Sequence, residues 1–344
     1  MKKWVYCLGL IVLLMLSWLI QAKSSVFYSQ PILTISSVTI EDDQQIIQGT
    51  MKNGAQKGEH YTLVADYHQS AAIHAHYQQG QQLLLTQNGT EWQILSQKRD
   101  GYLFFLFGLF IGIVLMIGGK KGLRALLSVV INTGLIIGIL WINKQLPQFS
   151  LLFLMLLFTI VSVIFTMGIS YTFQAIDGRK VAAVLISVLS AFMICWVSMN
   201  LLHDQGLRYE EMSFVTRPYR SIYLASLLIG AIGASMDNVI MIIASLDELQ
   251  RNDPKIEAPA RLAAGRAIAQ DTTSSMVNVL LFAYLSGSMP AVLFYLANGW
   301  AFQQAFAMHA SLELLRALCG GFALVLSVPI TLWIYEIHQR RCKQ

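Results

Sequence analysis

Eight runs of mostly apolar residues, each about as long as a bilayer is thick, constrain this chain more than any other feature. They are Trp4–Ile20, Tyr102–Gly118, Leu123–Ile142, Leu151–Phe173, Val181–Leu202, Ile222–Leu246, Ser275–Leu296 and Leu312–Tyr335. A helix rises 1.5 Å per residue, so runs of this length cross roughly 30 Å of hydrocarbon. Inside hydrocarbon every backbone N–H and C=O must be bonded within the protein, and continuous apolar runs satisfy this as helices. The composition agrees: 55% of residues are hydrophobic and 12% charged, against about 25% charged in soluble domains. The expected fold class is membrane all-α, with about eight transmembrane helices.

One sizeable polar segment interrupts the pattern, between the first run and the second. Short β-type runs (Leu33–Ile40, Gln44–Thr50, His60–Asp66, Gln81–Thr86 and Glu91–Leu95) are separated there by Gly, Asn and Asp, which predicts a small all-β domain, a barrel or a sandwich. The resulting division is 1–22, a membrane anchor or signal; 23–100, the β-rich domain; and 101–344, a seven-span helical domain. The residues around Ile20–Ser25 match a small-x-small cleavage site poorly, which favours an uncleaved anchor. His74 and His76 would share one face of a strand, but no third fixed ligand accompanies them, so they and His60 and His68 read as surface histidines. Cys7, Cys195 and Cys319 sit in apolar runs and Cys342 in the basic tail, with no CxxC spacing. Neither a metal nor a cofactor is expected.

The formal net charge of +5 does not indicate nucleic acid, because the basic residues are dispersed among loops and form no stripe. Their distribution gives a topology instead. With the N-terminus inside, the cytoplasmic segments from Lys2 to Lys343 hold fourteen Lys and Arg, and the short outer loops hold four: Lys144, Arg208, Arg217 and Arg220. Basic residues accumulate on the cytoplasmic side. Both termini are therefore expected inside, and residues 23–100 outside the cell membrane.

Polar residues within the apolar runs mark the candidate site. Gly230, Ala234, Asp237, Met241 and Ala244 recur at three to four residues and share a helix face. Gly230, Gly233 and Ala234 would let a neighbouring helix approach closely. In the next run Asp271, Ser274, Ser275, Asn278 and Phe282 share a face, and Asn278 should reach a depth comparable to Asp237. A carboxyl group in a lipid-length segment is costly unless paired, hydrated or protonated. The expected substrate or ion pathway is Asp237, Asn238, Ser235, Asp271, Ser275 and Asn278, with Asp271 nearer the mouth. Glu313 and Arg316, three residues apart, read as an intrahelical pair near a membrane surface.

The block Gly230-Ala-Ile-Gly-Ala-Ser-Met-Asp237, with Ile243-Ala-Ser-Leu-Asp-Glu-Leu249 after it, resembles the YibE/F-like family of bacterial membrane proteins. So do Gly265-Arg-Ala-Ile-Ala-Gln-Asp271, Val277-Asn278, Leu281-Phe-Ala-Tyr284 and Ser327-Val-Pro329. The resemblance runs from about Leu103 to the C-terminus, and the β domain after a first anchor is similar to the longer, YibE-type members. It implies a multi-pass membrane protein with a shorter, YibF-type protein as heteromeric partner. It supplies no substrate and no catalytic residue.

The leading functional expectation is a permease or transporter component. No GxxxxGK[ST] loop is present, so energy would come from an ion gradient or from another chain. A sensor or assembly subunit using the external domain is the alternative. An intramembrane aspartyl protease built on Asp237 and Asp271 is weaker, since the Gly-x-Gly-Asp motif is missing. No HExxH or GxSxG motif supports another hydrolase.

Overall fold

The computed structural model describes residues 2–22, 28, 30–54, 56–69, 74–88, 91–171, 177–212 and 218–342, and the statements below concern these. Arg217, Lys343 and most of the expected cleavage region lie outside them. The chain forms two compact units, Met1–Leu123 and Arg124–Gln344.

In the first unit, α1 (Lys2–Ala22) precedes five strands: β1 (Ile32–Glu41), β2 (Gln44–Met51), β3 (His60–Asp66), β4 (Gln82–Asn88) and β5 (Glu91–Gln97). They make one antiparallel sheet in the order β3-β2-β1-β4-β5. The five expected strands are all present, in a single sheet rather than a two-sheet sandwich. Asp42 and Asp43, both at positive φ, form the two-residue turn between β1 and β2, as a tight hairpin requires. Leu33, Ile35, Ile47, Met51, Leu63, Leu83 and Leu85 form the core of the domain.

Two buried amides fix its loops. Gln45 donates to the carbonyls of Asp66 and Ala75 and accepts from the Tyr77 N–H. Asn53 accepts from the Ile32 N–H and donates to Gln30. The histidines do not assemble: His60 bonds Thr50, and His76 stacks on Tyr67. No group of three or more metal-binding side chains occurs among the described residues.

Six helices are long and apolar enough to cross a membrane: α2 (Asp100–Gln145), α3 (Leu151–Tyr171), α4 (Gly178–Leu201), α5 (Tyr219–Asn252), α6 (Ala258–Ala297) and α7 (Phe302–Cys342). The second and third expected spans both lie in α2. That helix breaks at Gly119, whose φ of 52° and ψ of −127° are not helical. Glycine has no Cβ to oppose such a backbone, and the Lys120–Arg124 segment read as a loop follows it directly. In α1 the apolar stretch is Ile11–Ile20.

In the second unit α5 is the central helix, packed against α3, α4, α6 and α7. Its buried face carries Leu227, Leu228, Ala231, Val239, Ile242, Ile243 and Leu246. The chain runs up and down, so α5 and α7 point oppositely to α4 and α6, respectively. We name the two ends of the bundle by the residues at which α5 starts and stops, Tyr219 and Asn252. Cys195 on α4 and Cys319 on α7 are both buried and unoxidised in this packing.

Charged groups tie the helices together at both ends. At the Tyr219 end Arg220 bonds Asn200 and Asp204 just past α4. At the Asn252 end Arg261, 2% exposed, pairs with Glu336 at 2.8 Å and donates to Gln250. The Tyr335 ring lies beneath both Arg261 and Arg179, and Arg179 reaches Asp177 and Asp247. Asp177 also caps α4 by accepting from the Arg179 N–H.

Removing one partner of a buried ion pair strands the other charge. Arg261→Ala should therefore lower stability by about 3–5 kcal/mol, read from unfolding in detergent. Burial works against the Asp177 carboxylate, yet the bonds from Arg179 hold its pKa below the ordinary value. A lowered folded pKa gives stability that is complete above the ordinary carboxylate value of about 3.9 and is lost as pH falls through the folded value. The difference in unfolding temperature between wild type and Asp177→Asn should accordingly shrink on acidification and stay constant above neutral pH.

Candidate functional site

The register of α5 on α6 is set by contacts at three levels. A Cβ at Gly230 would stand 2.5 Å from Tyr284 Oη, so glycine is what lets the tyrosine lie across α5. One turn on, Ala234 and Leu280 both pack on Gly320 of α7. A further turn on, Asn238 is fully buried between α6 and α7. Its Nδ2 lies 3.1 Å from Thr273 Oγ1, 2.7 Å from Ser327 Oγ and 3.2 Å from the Leu324 carbonyl. This three-helix knot puts Asp237 within about a turn of the level of Ser274 and Ser275.

Clefts open on either side of the knot. Toward the Tyr219 end, a cleft of about 420 Å³ is lined by Ser226, Gly230, Gly233, Ala234, Leu280, Tyr284 and Arg316. It meets a second, of about 480 Å³, at Tyr284, where Glu211, Ser288, His309 and Glu313 form the wall. Toward the Asn252 end, a cleft of about 320 Å³ between α6 and α7 is lined by Arg266, Gln270, Thr273, Ser274, Val325 and Pro329. The first cleft extends to Ala234, and the Asn252-end cleft extends to Thr273, itself part of the Asn238 knot.

Of the two Tyr219-end clefts the first is mostly apolar and the second mostly polar. Arg316 donates to both Glu313 oxygens and to Ser226 of α5, with its guanidinium over the Tyr223 and Tyr284 rings. His309 Nδ1 is 2.6 Å from Glu211, in a short turn between α4 and α5. In the same turn Tyr209 packs against Tyr219 and Tyr223, and burial raises its pKa.

The expected site residues fall into two groups. Asn238 and Ser235 are buried. Asp237, Asp271, Ser275 and Asn278 are exposed on the chain surface, and neither aspartate has a hydrogen-bond or ion-pair partner among the described residues. No hydrogen bond joins Asp237 to Asn278 among the described residues; Thr273 and Ser327 meet α5 instead, through Asn238. Of the three small residues, Gly230 and Ala234 lie at close helix contacts, whereas Gly233 has nothing within 4 Å of a Cβ position.

Sequence reasoning missed the roles of Thr273, Ser327, Tyr284, His309 and Glu211; the expected intrahelical Glu313–Arg316 pair is present, and its contact with Ser226 was not foreseen. Ser327 carried a usable signal, two residues before Pro329 within an apolar run. Also unforeseen is a polar cluster between α2 and α3, where Asn132 bonds Thr166 and Ser162.

The Gly230–Tyr284 contact can be tested by a cycle. Gly230→Ala should cost about 1–3 kcal/mol of stability by overpacking. In a Tyr284→Phe background, with the opposing hydroxyl gone, the same change should cost about 0.5 kcal/mol or less, measured by thermal unfolding of the four proteins.

The YibE/F-like protein family matches residues 106–341, and the YibE/F family N-terminal domain matches residues 26–98. Neither a curated protein nor a solved structure matches. Together the two matched segments take in the β sheet and the six long apolar helices, and the chain belongs to the YibE/F-like family.

Proposed function

We propose that this protein is a permease or transporter component whose path runs along the flank of α5, α6 and α7, with Asp237 as its ionisable group. The observation that carries this reading is the placement of Asp237. Its carboxyl group, unpartnered among the described residues, stands midway along a 34-residue apolar helix, one turn from Gly233 and Ala234, which line a largely apolar cleft that Arg316 borders. Hydrocarbon charges several kcal/mol for such a group, so structural economy does not account for it.

The clefts support the same reading. Clefts lying on either side of the Asn238 knot along the bundle fit the arrangement alternating access needs. In the orientation proposed from the basic residues, the Tyr219 end faces outward and the Asn252 end faces the cytoplasm. Counting the two arms of α2 separately and including α1 gives the eight spans. Asp271, Ser275 and Asn278, polar and exposed on a membrane-length helix, favour a covering chain, for which the shorter YibF-type family member is proposed. Asp237 and Asp271 are not bonded to each other, which disfavours a protease dyad.

The test is ion flux in proteoliposomes under a potassium diffusion potential, followed with an internal pH dye and with sodium and potassium indicators. Asp237→Asn should reduce the flux at least tenfold, about 1.4 kcal/mol or more in barrier height, with unchanged insertion and unfolding temperature. Wild-type flux in that variant would refute the role of Asp237.

A further inference from the structure

We propose that the cleft walled by Glu211, His309 and Glu313 binds a primary ammonium group. His309 lies on α7, and its side chain is 6% exposed. The ring is held from two sides. Its Nδ1 stands 2.6 Å from Glu211, and Tyr295 packs against it at a centroid distance of 4.3 Å. A carboxylate accepts hydrogen bonds and gives none, so the imidazole proton sits on Nδ1. The neutral ring then presents a lone pair at Nε2. That nitrogen is buried and has no hydrogen-bond partner among the described residues, on a side chain that lines a cleft of about 480 Å³. Buried polar atoms are almost always satisfied, and an orphan on a cleft wall points to a ligand.

The rest of the polar wall is made of acceptors. Ser288 of α6 gives its own proton to the Leu285 carbonyl at 3.0 Å, which leaves its oxygen lone pairs to the cleft. Glu313 takes its bonds from Arg316 alone, and a carboxylate offers about four lone-pair sites. No described Lys or Arg lines this cleft; Arg316 borders the neighbouring one. A wall with two carboxylates, an unpartnered ring nitrogen and no cation of its own attracts a positively charged hydrogen-bond donor.

Size and spacing select an organic cation over a metal ion. A metal such as zinc draws its donors to about 2.1 Å, and Glu211, His309 and Glu313 form no such group. Hydrogen bonds from nitrogen span about 2.7–3.2 Å and reach acceptors set further apart. The cleft volume also falls in the range of small-molecule sites, roughly 300–1,000 Å³. A primary ammonium has three N–H donors and no acceptor, the complement of this wall, whereas a quaternary ammonium has no N–H to give. Such a group arrives on a soluble amine or on the headgroup of phosphatidylethanolamine, with the same chemistry in either case. That a bound amine is the transported solute rests on the transport reading above; its binding does not.

The test is thermal unfolding of the full chain in phosphatidylcholine nanodiscs, in ethanolamine hydrochloride or choline chloride at neutral pH and equal ionic strength. Ethanolamine should raise the unfolding temperature by about 3 °C or more over choline. His309→Phe, which keeps a ring against Tyr295, and Glu211→Gln, which keeps an acceptor for Nδ1, should each unfold cooperatively in choline and lose that rise. Replacing part of the phosphatidylcholine by phosphatidylethanolamine, without added amine, separates the two sources. A rise there that both variants lose names the lipid; no rise there, beside a rise with ethanolamine, names a soluble amine. Equal unfolding temperatures in ethanolamine and choline, with no effect of phosphatidylethanolamine, would overturn the site, as would an undiminished rise in either variant. A rise in a protein that carries no ion flux would leave the site standing and remove the transport reading.

Discussion

Hydrocarbon supplies no hydrogen bonds, and the helical unit is arranged around that fact. Where α5, α6 and α7 meet, the polar groups are gathered into one knot at Asn238 instead of being spread along the interfaces. Packing of apolar surface has little drive among lipid tails, so close backbone approach and shared hydrogen bonds carry the association. Gly230 and Gly320 give the approach, and Asn238 gives the bonds. Helix register follows from those few contacts.

The charges occupy the two ends of the bundle for the same reason. At the Asn252 end Arg179 and Arg261 share the Tyr335 ring and are matched by Asp177, Asp247 and Glu336. At the Tyr219 end Arg220 and Arg316 are matched by Asp204 and Glu313. Arg316 differs from the others because its pair opens onto a cleft that continues toward Gly233 and Ala234. An ion pair on a cleft wall can exchange its partner for a ligand, whereas the Arg261 pair, nearly excluded from solvent, serves as a clamp. Between these two charged layers the Asp237 carboxyl group, like that of Asp271, is matched by no partner among the described residues.

Much of this architecture is legible along the chain. Apolar runs locate the helices because the length needed to cross a bilayer leaves few alternatives, and turn residues locate the five strands within a residue or two. The break in α2 was written in Gly118-Gly119-Lys120-Lys121-Gly122. Helical spacing also placed Gly230, Ala234 and Asp237 on one face. What spacing does not contain is the angle at which one helix faces another. Asn238, adjacent to Asp237 in sequence, is rotated by about 100° from it, and that rotation carries it into the bundle while Asp237 stays at the surface.

The sequence by itself thus determined which segments are helices, where the β domain is inserted, and which polar residues lie at lipid depth, because each depends on local composition and a fixed rise per residue. The tertiary structure alone decided that Asn238 would bond Thr273 and Ser327, that Tyr284 would lie over Gly230, and that Arg316 would border a cleft. Those pairings join residues up to 90 positions apart. They follow from interhelical packing, in which glycines on facing helices decide which neighbour can approach, and no periodicity within a single helix records the choice.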